Sequence, residues 1–299
     1  MNVLVSTDNG YVFQTCVMLK SLFVNHAQIT ASIEVYVLLR NVDEYDKRKI
    51  EIFIRNCGHK SHLIEIRDED YAQIAANLYF DDIKKTHHLT MAAYNRLLVT
   101  IKIPQNVDKI LYLDSDIIVN KPLYDLYNLL ESEAAVVVPG FTFKDKDFIL
   151  LANNSVEKTK EIVKHAETFK EKNGILNDVQ YFNSGVMVLN LKWLRSNNFV
   201  NMVKQHIMNH KCSEDADQSI LNAVLKNRVS YASIVYNCRP SDFGKNNKAF
   251  LEQQACVLHY GVKPWNNLRA TMCMKWWKYA FLTDYKIALN SLVKCLIKK

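Results

Sequence analysis

The segment Leu111-Tyr112-Leu113-Asp114-Ser115-Asp116 puts two carboxylates two residues apart directly behind an apolar run. In extended backbone, residues i and i+2 point the same way, so Asp114 and Asp116 converge at a strand end. Two such charges ~4 Å apart repel by about 4 kcal/mol at an effective dielectric of about 20. Either one of them takes a proton or a cation sits between them. Oxygen ligands suit a hard divalent cation. The competing reading is a solvated turn, where Asp is common. His259 closes a second apolar run, Ala255–Leu258, and leads into Tyr260-Gly261-Val262-Lys263-Pro264-Trp265. A histidine there is ordinarily just packed or exposed. Gly261, however, permits close backbone approach, and Lys263 brings a cation suited to phosphate. One imidazole added to two carboxylates favours Mn2+ or Mg2+ over zinc.

Three further segments carry polar chemistry. Asp215-Ala216-Asp217-Gln218 stands at an expected helix start, where an acidic first turn is intrinsically favourable. Tyr181-Phe182-Asn183-Ser184-Gly185 precedes a buried strand and alone is a turn. Arg96 lies in Tyr94-Asn95-Arg96-Leu97, on a mostly apolar helix, where a structural ion pair is an equal explanation.

The elements that position these residues follow from periodicity. Strands are expected at Asn2–Thr7, Ile33–Leu39, His62–Ile66, Lys109–Leu113, Ala134–Pro139 and Ser184–Leu189. Helices are expected at Val12–Asn25, Asp43–Asn56 with an Asp cap, Met91–Ile101 and Asp217–Leu225, and the polar segment Lys144–Asn177 also reads as helical. Near-continuous apolar strands alternating with helices indicate an α/β protein whose mainly parallel sheet is covered on both faces. Ligands in such sheets bind at the carboxyl ends of the strands, where the turn at Asp8–Gly10 and the Asp114–Asp116 pair both fall.

The chain has 299 residues, 49% of them apolar, enough for one large domain without staples. Its seven cysteines are scattered with no CxxC pair, which argues against a disulfide framework or zinc site and fits a cytoplasmic protein. The start MNVLVSTDNG reads as no secretory signal, and no stretch approaches the ~18 apolar residues of a membrane span. Only seven glycines are present, with no GxGxxG, GxxxxGK[ST] or GxSxG. A dinucleotide loop, a P-loop and a serine-hydrolase elbow are therefore not expected. Net charge is +7. Part of it gathers after Leu268, where lysines alternate with Trp276, Trp277, Tyr279, Phe281 and Tyr285. That pattern suits peripheral contact with an anionic membrane, or equally a solvated helix with one buried face. Nucleic acid is not an expected partner, since no recognised motif accompanies the charge. The expected division is a domain over 1–267 and a basic aromatic helical segment over 268–299.

Taken in order, Ser6-Thr7-Asp8-Asn9-Gly10-Tyr11, Tyr94-Asn95-Arg96-Leu97, LYLDSD at 111–116, FNSGVMVLNL at 182–191, DADQSILN at 215–222 and HYGVKPW at 259–265 resemble glycosyltransferase family 8. Its members are retaining enzymes of the Rossmann-like GT-A fold, among them bacterial lipooligosaccharide galactosyltransferases and glycogenin. The resemblance implies a UDP-hexose donor, Mn2+ (or Mg2+), and a saccharide or glycolipid acceptor; the basic aromatic C-terminal segment adds an expected peripheral contact at the inner face of the plasma membrane. It implies that Ser6, Thr7, Asp8, Asn9 and Tyr11 hold the uridine, with Tyr11 stacked on the base. Asp114, Asp116 and His259 would hold the metal, with Asp114 and Ser115 also near the donor. Gly261 and Lys263 would meet the phosphates, and Arg96, Asn183, Asp217 and Gln218 would surround the hexose. The residue matching a double-displacement nucleophile is Gln218, a poor one. Front-face attack is therefore expected, with Asp217 the fallback nucleophile.

Two departures stand out. The family spacing HxxGxxKPW is HxGxKPW here, two residues shorter, which alters the approach of Lys263. The segment Gly140-Phe141-Thr142 lacks the acidic residue that relatives often carry beside the sugar. Galactose and glucose both remain open as donor sugars. Alternatives are a haloacid-dehalogenase-like phosphatase, which also uses Asp-x-Asp, a non-catalytic sugar-nucleotide-binding module, and glycogenin-like self-glucosylation on Tyr279 or Tyr285.

Overall fold

The apolar runs pair into a sheet at whose centre lies the strand carrying the aspartates. The structure, a computed structural model, describes residues 1–27, 32–74, 91–139, 181–210, 216–243 and 248–297. Its strands are β1 (Asn2–Asp8), β2 (Glu34–Arg40), β3 (Lys60–Glu65), β4 (Lys109–Leu113), β5 (Ile117–Val119), β6 (Val136–Pro139), β7 (Val186–Asn190), β8 (Val229–Ala232) and β9 (Val257–His259). Seven of them form one sheet in the order β3-β2-β1-β4-β7-β6-β8, and β5 and β9 form a separate pair. β3, β2, β1 and β4 are mutually parallel, as are β6 and β8. Among the described strands of this sheet, β7 alone runs against its neighbours, between β4 and β6, and β5 and β9 pair antiparallel.

The period-two geometry of a strand sends alternate side chains to opposite faces. Leu4, Tyr36, Leu38, Tyr112, Val136, Val138, Met187 and Leu189 join one apolar cluster, with Tyr94, Leu97, Phe199 and Leu221. Val3, Val5, Val35, Val37, Leu111, Leu113, Val186 and Val188 join a second, with Leu19 and Leu22 of the helix Val12–His26 and Ile50 and Ile54 of the helix Glu44–Asn56. Each fully buried Val or Leu contributes about 1.5–3 kcal/mol of transfer free energy. Both faces are therefore covered, as the unbroken strands require. Asp43 caps the helix Glu44–Asn56 as expected, its carboxylate accepting from the Asp46 N–H at 2.8 Å.

The expected helix over Met91–Ile101 is instead a 3-10 stretch, Met91–Leu98, followed by one α turn, Val99–Lys102. Tyr94 to Leu98 are all buried in succession. The segment is packed all round and shows no polar face by which its period could be read. The expected helix over Lys144–Asn177, Gly140-Phe141-Thr142, Cys212 and Asp215 lie outside the described residues. The six described cysteines are free thiols.

A third cluster joins Val17, Ile118, Leu258 and Tyr260 to Trp276, Trp277 and Tyr279. The aromatics expected to face a membrane thus belong largely to the core. The helix Cys273–Thr283 lies against the helix Val12–His26, and Asn25 Nδ2 donates to Tyr279 Oη at 2.8 Å and to Val119 O at 2.9 Å. The following helix, Tyr285–Ile297, exposes Tyr285, Leu289, Val293, Leu296 and Ile297. No described helix is long and apolar enough to cross a membrane.

Candidate active site

Backbone pairing assembles the site from three distant segments. The Asp114 N–H donates to Gly185 O at 2.9 Å, extending the β4–β7 pairing by one step. The Tyr260 N–H donates to Asp116 O at 3.0 Å, extending the β5–β9 pairing in which Ile117 faces His259. As a result, one ligand atom each from Asp114, Asp116 and His259 lies within 4.8 Å of the others. Gly185 makes this approach possible. A Cβ there would stand 2.5 Å from His259 Cε1 and 2.7 Å from Asp114 Oδ2, distances no side chain tolerates.

The two carboxylates are held differently. Asp114 Oδ1 accepts from Arg96 Nη2 and from Tyr112 Oη, both at 2.7 Å. The Arg96 guanidinium lies 4.2 Å from the centre of the Tyr112 ring, donates to Ser184 O at 2.8 Å, and has its Nε 3.1 Å from Asp217 Oδ2. Burial disfavours the charged guanidinium, but Asp114 and Asp217 outweigh it and hold the Arg96 pKa above its ordinary value. Burial pushes the Tyr112 phenol well up, keeping it a donor. Burial also pushes the Asp116 carboxyl up, yet His259 and Lys263 overcome this and hold it well below the usual carboxylate range. Asp116 is therefore ionised.

Lys263 Nζ bonds Asp116 Oδ2 and donates to Tyr260 O at 2.7 Å. The other oxygen, Asp116 Oδ1, is buried, accepts no hydrogen bond from a described residue, and faces His259 Nε2 at 3.3 Å. Buried acceptors are normally satisfied. An ionised carboxylate oxygen left open beside an imidazole nitrogen and a second carboxylate is the donor set of a hard divalent cation, so these residues fit Mn2+ or Mg2+.

Beside this cluster, Asn183 Nδ2 donates to Gln218 Oε1 at 2.8 Å, and Gln218 Nε2 donates to Tyr181 Oη at 2.8 Å. Asn222 ties the helix Ala216–Leu225 to this strand entry, accepting from the Phe182 N–H at 2.8 Å and donating to Phe182 O at 2.9 Å. Arg96 thus joins Asp114 to Asp217, and Asn183 and Gln218 are joined to each other and to the Ser184 and Gly185 N–H groups.

The first turn is built otherwise. Ser6 Oγ donates to Ala92 O at 2.6 Å, Thr7 Oγ1 to Asp8 O at 3.1 Å, and Asp8 Oδ1 accepts from the Gly10 N–H at 3.0 Å. Asn9 Oδ1 accepts from the Asp43 N–H at 3.4 Å. Ser115 Oγ donates to Ser6 O at 3.1 Å and lies 2.8 Å from Thr15 Oγ1, so its hydroxyl faces inward. Tyr11 meets Trp265 edge to face at 6.0 Å, and burial followed by Asp116, Asp8 and Asp114 raises its phenol pKa. Gly261 lies beneath the Arg239 guanidinium, 3.0 Å from where a Cβ would stand.

Sequence reasoning missed Tyr112, Gly185, Asn237 and Arg239. Tyr112 was findable, since it shares a strand face with Asp114, and Gly185 lies inside a segment already singled out. Asn237 and Arg239 carry no local signal, because only the fold brings them near His259 and Gly261.

The family model described as "Glycosyl transferase family 8" matches residues 2–269. The chain belongs to glycosyltransferase family 8. The crystal structure of the galactosyltransferase LgtC with donor and acceptor sugar analogs matches with a TM-score of 0.71 at 24% identity, covering 94% of this chain and 95% of that one. The fold is therefore GT-A. Glycosyltransferase GlyE of Streptococcus pneumoniae is 25% identical over 96% of this chain, which spans 62% of that protein's length. A lipopolysaccharide 1,2-glucosyltransferase of Escherichia coli K12 is 23% identical over 97% of this chain and 78% of that protein. The phosphatase alternative loses its footing, since a different family matches and Asp114 follows the fourth strand rather than the first.

Proposed function

We propose that this family 8 glycosyltransferase moves a hexose, galactose or glucose, from a UDP-sugar to a hydroxyl of a cell-surface glycan or lipid-linked saccharide, with Mn2+ held by Asp114, Asp116 and His259. The observation that carries this reading is the convergence of those three ligand atoms within 4.8 Å around the open oxygen of Asp116. A bound Mn2+ or Mg2+ would neutralise charge on the departing diphosphate, a kind of stabilisation that is often the largest in catalysis.

The chain's own residues supply the rest. The first turn, Ser6 to Tyr11, receives the uridine. Lys263, now on Asp116, lies where it can exchange that carboxylate for a phosphate oxygen, and Gly261 lets the diphosphate approach. Arg96 holds Asp114 and Asp217 in place beside the hexose. Asp217 is 3% exposed and lies against the Arg96 guanidinium, an ion pair that opposes its use as a nucleophile. Gln218 directs its carbonyl oxygen at Asn183 and the Ser184 N–H. Both features favour front-face attack with retention, in which the acceptor hydroxyl loses its proton to a leaving phosphate oxygen. A trapped glycosyl-Asp217 adduct would overturn that route.

The test is UDP release from a panel of UDP-sugars with and without Mn2+. Stimulation by Mn2+ is expected with at least one UDP-hexose and is expected to vanish in Asp116→Ala. Activity retained by that variant contradicts the metal assignment.

The second C-terminal helix is the membrane-facing part of this reading. Its exposed Leu289, Val293, Leu296 and Ile297 accompany Lys286 and Lys294, a combination that suits an anionic bilayer surface. Because the helix Cys273–Thr283 shares the core, a truncation must fall after Asp284. That variant is expected to lose co-sedimentation with anionic vesicles while still binding UDP. Unchanged sedimentation ends the docking idea.

A further inference from the structure

Asn237 is 4% exposed and ends the 3-10 turn Ile234–Asn237. Its Oδ1 lies 2.9 Å from His259 Nδ1, and its Nδ2 donates to Asn183 Oδ1 at 2.9 Å. It therefore stands between the ligand cluster and the residues around the donor sugar.

The direction of every hydrogen bond in this chain follows from two backbone donors. The Gly185 N–H, which can only donate, points at Asn183 at 3.1 Å, so that atom is the amide oxygen. Asn183 therefore turns its NH2 toward Gln218. The Ser184 N–H points at the same Gln218 atom at 3.1 Å, which makes that atom Oε1. Since Asn183 Oδ1 is an acceptor, the Asn237 atom that meets it must be the NH2. The other end of Asn237 is then a carbonyl oxygen, and a carbonyl facing His259 Nδ1 requires a proton on that nitrogen. In the neutral imidazole the remaining nitrogen, Nε2, keeps its lone pair. Nε2 is the nitrogen that faces Asp116 Oδ1 at 3.3 Å.

We propose that Asn237 is a positioning residue. It holds His259 with Nδ1 protonated and Nε2 bare toward Asp116, and through Asn183 it ties that orientation to the Gln218 amide. The role in metal affinity rests on the reading that His259 is a ligand. The role in tautomer choice does not.

Three measurements test the inference. The first is a long-range proton–nitrogen correlation spectrum of metal-free wild-type protein, with His259 assigned by its loss in His259→Gln. A proton on Nδ1 and none on Nε2 is expected, and either a bare Nδ1 or a protonated Nε2 overturns the proposal. The second is Mn2+ binding in the presence of UDP, read from the paramagnetic resonance of free Mn2+. Asn237→Ala removes both bonds and is expected to weaken Mn2+ about 10–100-fold, the usual cost of losing a partner behind a ligand. Asn237→Asp keeps an acceptor for His259 and is expected to bind Mn2+ at least as well as wild type. The third is turnover of Asn237→Asp. Its carboxylate cannot donate to Asn183, so kcat is expected to fall by at least about 10-fold. Equal Mn2+ affinity in wild type and Asn237→Ala, or unchanged kcat in Asn237→Asp, overturns the proposal. Failure of wild type to bind Mn2+ removes the metal reading of the site, and the spectrum still decides the tautomer.

Discussion

The carboxyl end of β4 and the carboxyl end of β1 lie side by side, yet they are built on opposite plans. At β4, charged side chains bind one another: Arg96 to Asp114 and Asp217, and Lys263 to Asp116. At β1, the polar side chains are spent on nearby backbone, with Ser6 on Ala92 O, Thr7 on Asp8 O and Asp8 on the Gly10 N–H. In the first region the charged side chains hold one another in place across segments distant in sequence. In the second the polar side chains shape a local loop. Substitutions should therefore act as switches near β4 and as gradual adjustments near β1.

The largest effect is expected from Gly185→Ala, whose methyl would displace both His259 and Asp114. Misplacing a reacting group by an ångström costs on the order of 100-fold, so UDP release should fall by at least about that factor, with Mn2+ binding lost alongside it. Near-normal turnover would mean that the close approach of these segments is not needed. Next comes Arg96→Met, which leaves the buried Asp217 and the half-buried Asp114 without their guanidinium. Removing one partner of a buried ion pair typically costs about 3–5 kcal/mol, and urea unfolding should register a loss of that size. A change below about 1 kcal/mol, the worth of a surface pair, would erase the contrast between the regions. Asp8→Ala probes the other region. Losing this cap should cost about 1 kcal/mol and raise the donor KM modestly while kcat holds. A collapse of kcat would show that the first turn is as rigid as its neighbour.

The smallest expected effect is a pH dependence of stability remote from both regions. His26 is buried, its Nε2 accepts from the Leu123 N–H at 2.9 Å, and burial lowers its pKa from the ordinary 6.5. A histidine with a lowered folded pKa contributes stability that is fully present above its unfolded value and is lost as pH falls toward the folded one. Thermal melts should therefore show wild-type stability declining below about pH 6.5, the free-histidine value, and the decline should be shallower in His26→Gln. Parallel curves would remove His26 from the account.

Much of the fold was legible because burial on both faces leaves unbroken apolar strands such as Val3–Val5 and Ile110–Leu113. The reversed direction of β7 was not legible, because an apolar strand reads the same either way along the sheet. Nor were the short β5 and β8, which the periodic reading passed over. Within the site, the Asp114–Asp116 pair declared itself through the period-two geometry of a strand. Asn237 did not, since its importance comes from two partners, His259 and Asn183, that only tertiary folding brings to it. The aromatics after Leu268 misled in part, because Trp and Tyr suit a bilayer interface and a protein core equally well, and Trp276 and Trp277 turn inward.

The pairing of β5 with β9 has a consequence for how the molecule is born. Ile117 and its partner His259 leave the ribosome well over a hundred codons apart. Until β9 has emerged and docked, the two aspartates stand without the imidazole and without Lys263, and no nascent intermediate carries the assembled cluster. Completion of the ligand cluster therefore reports that β9 has been delivered.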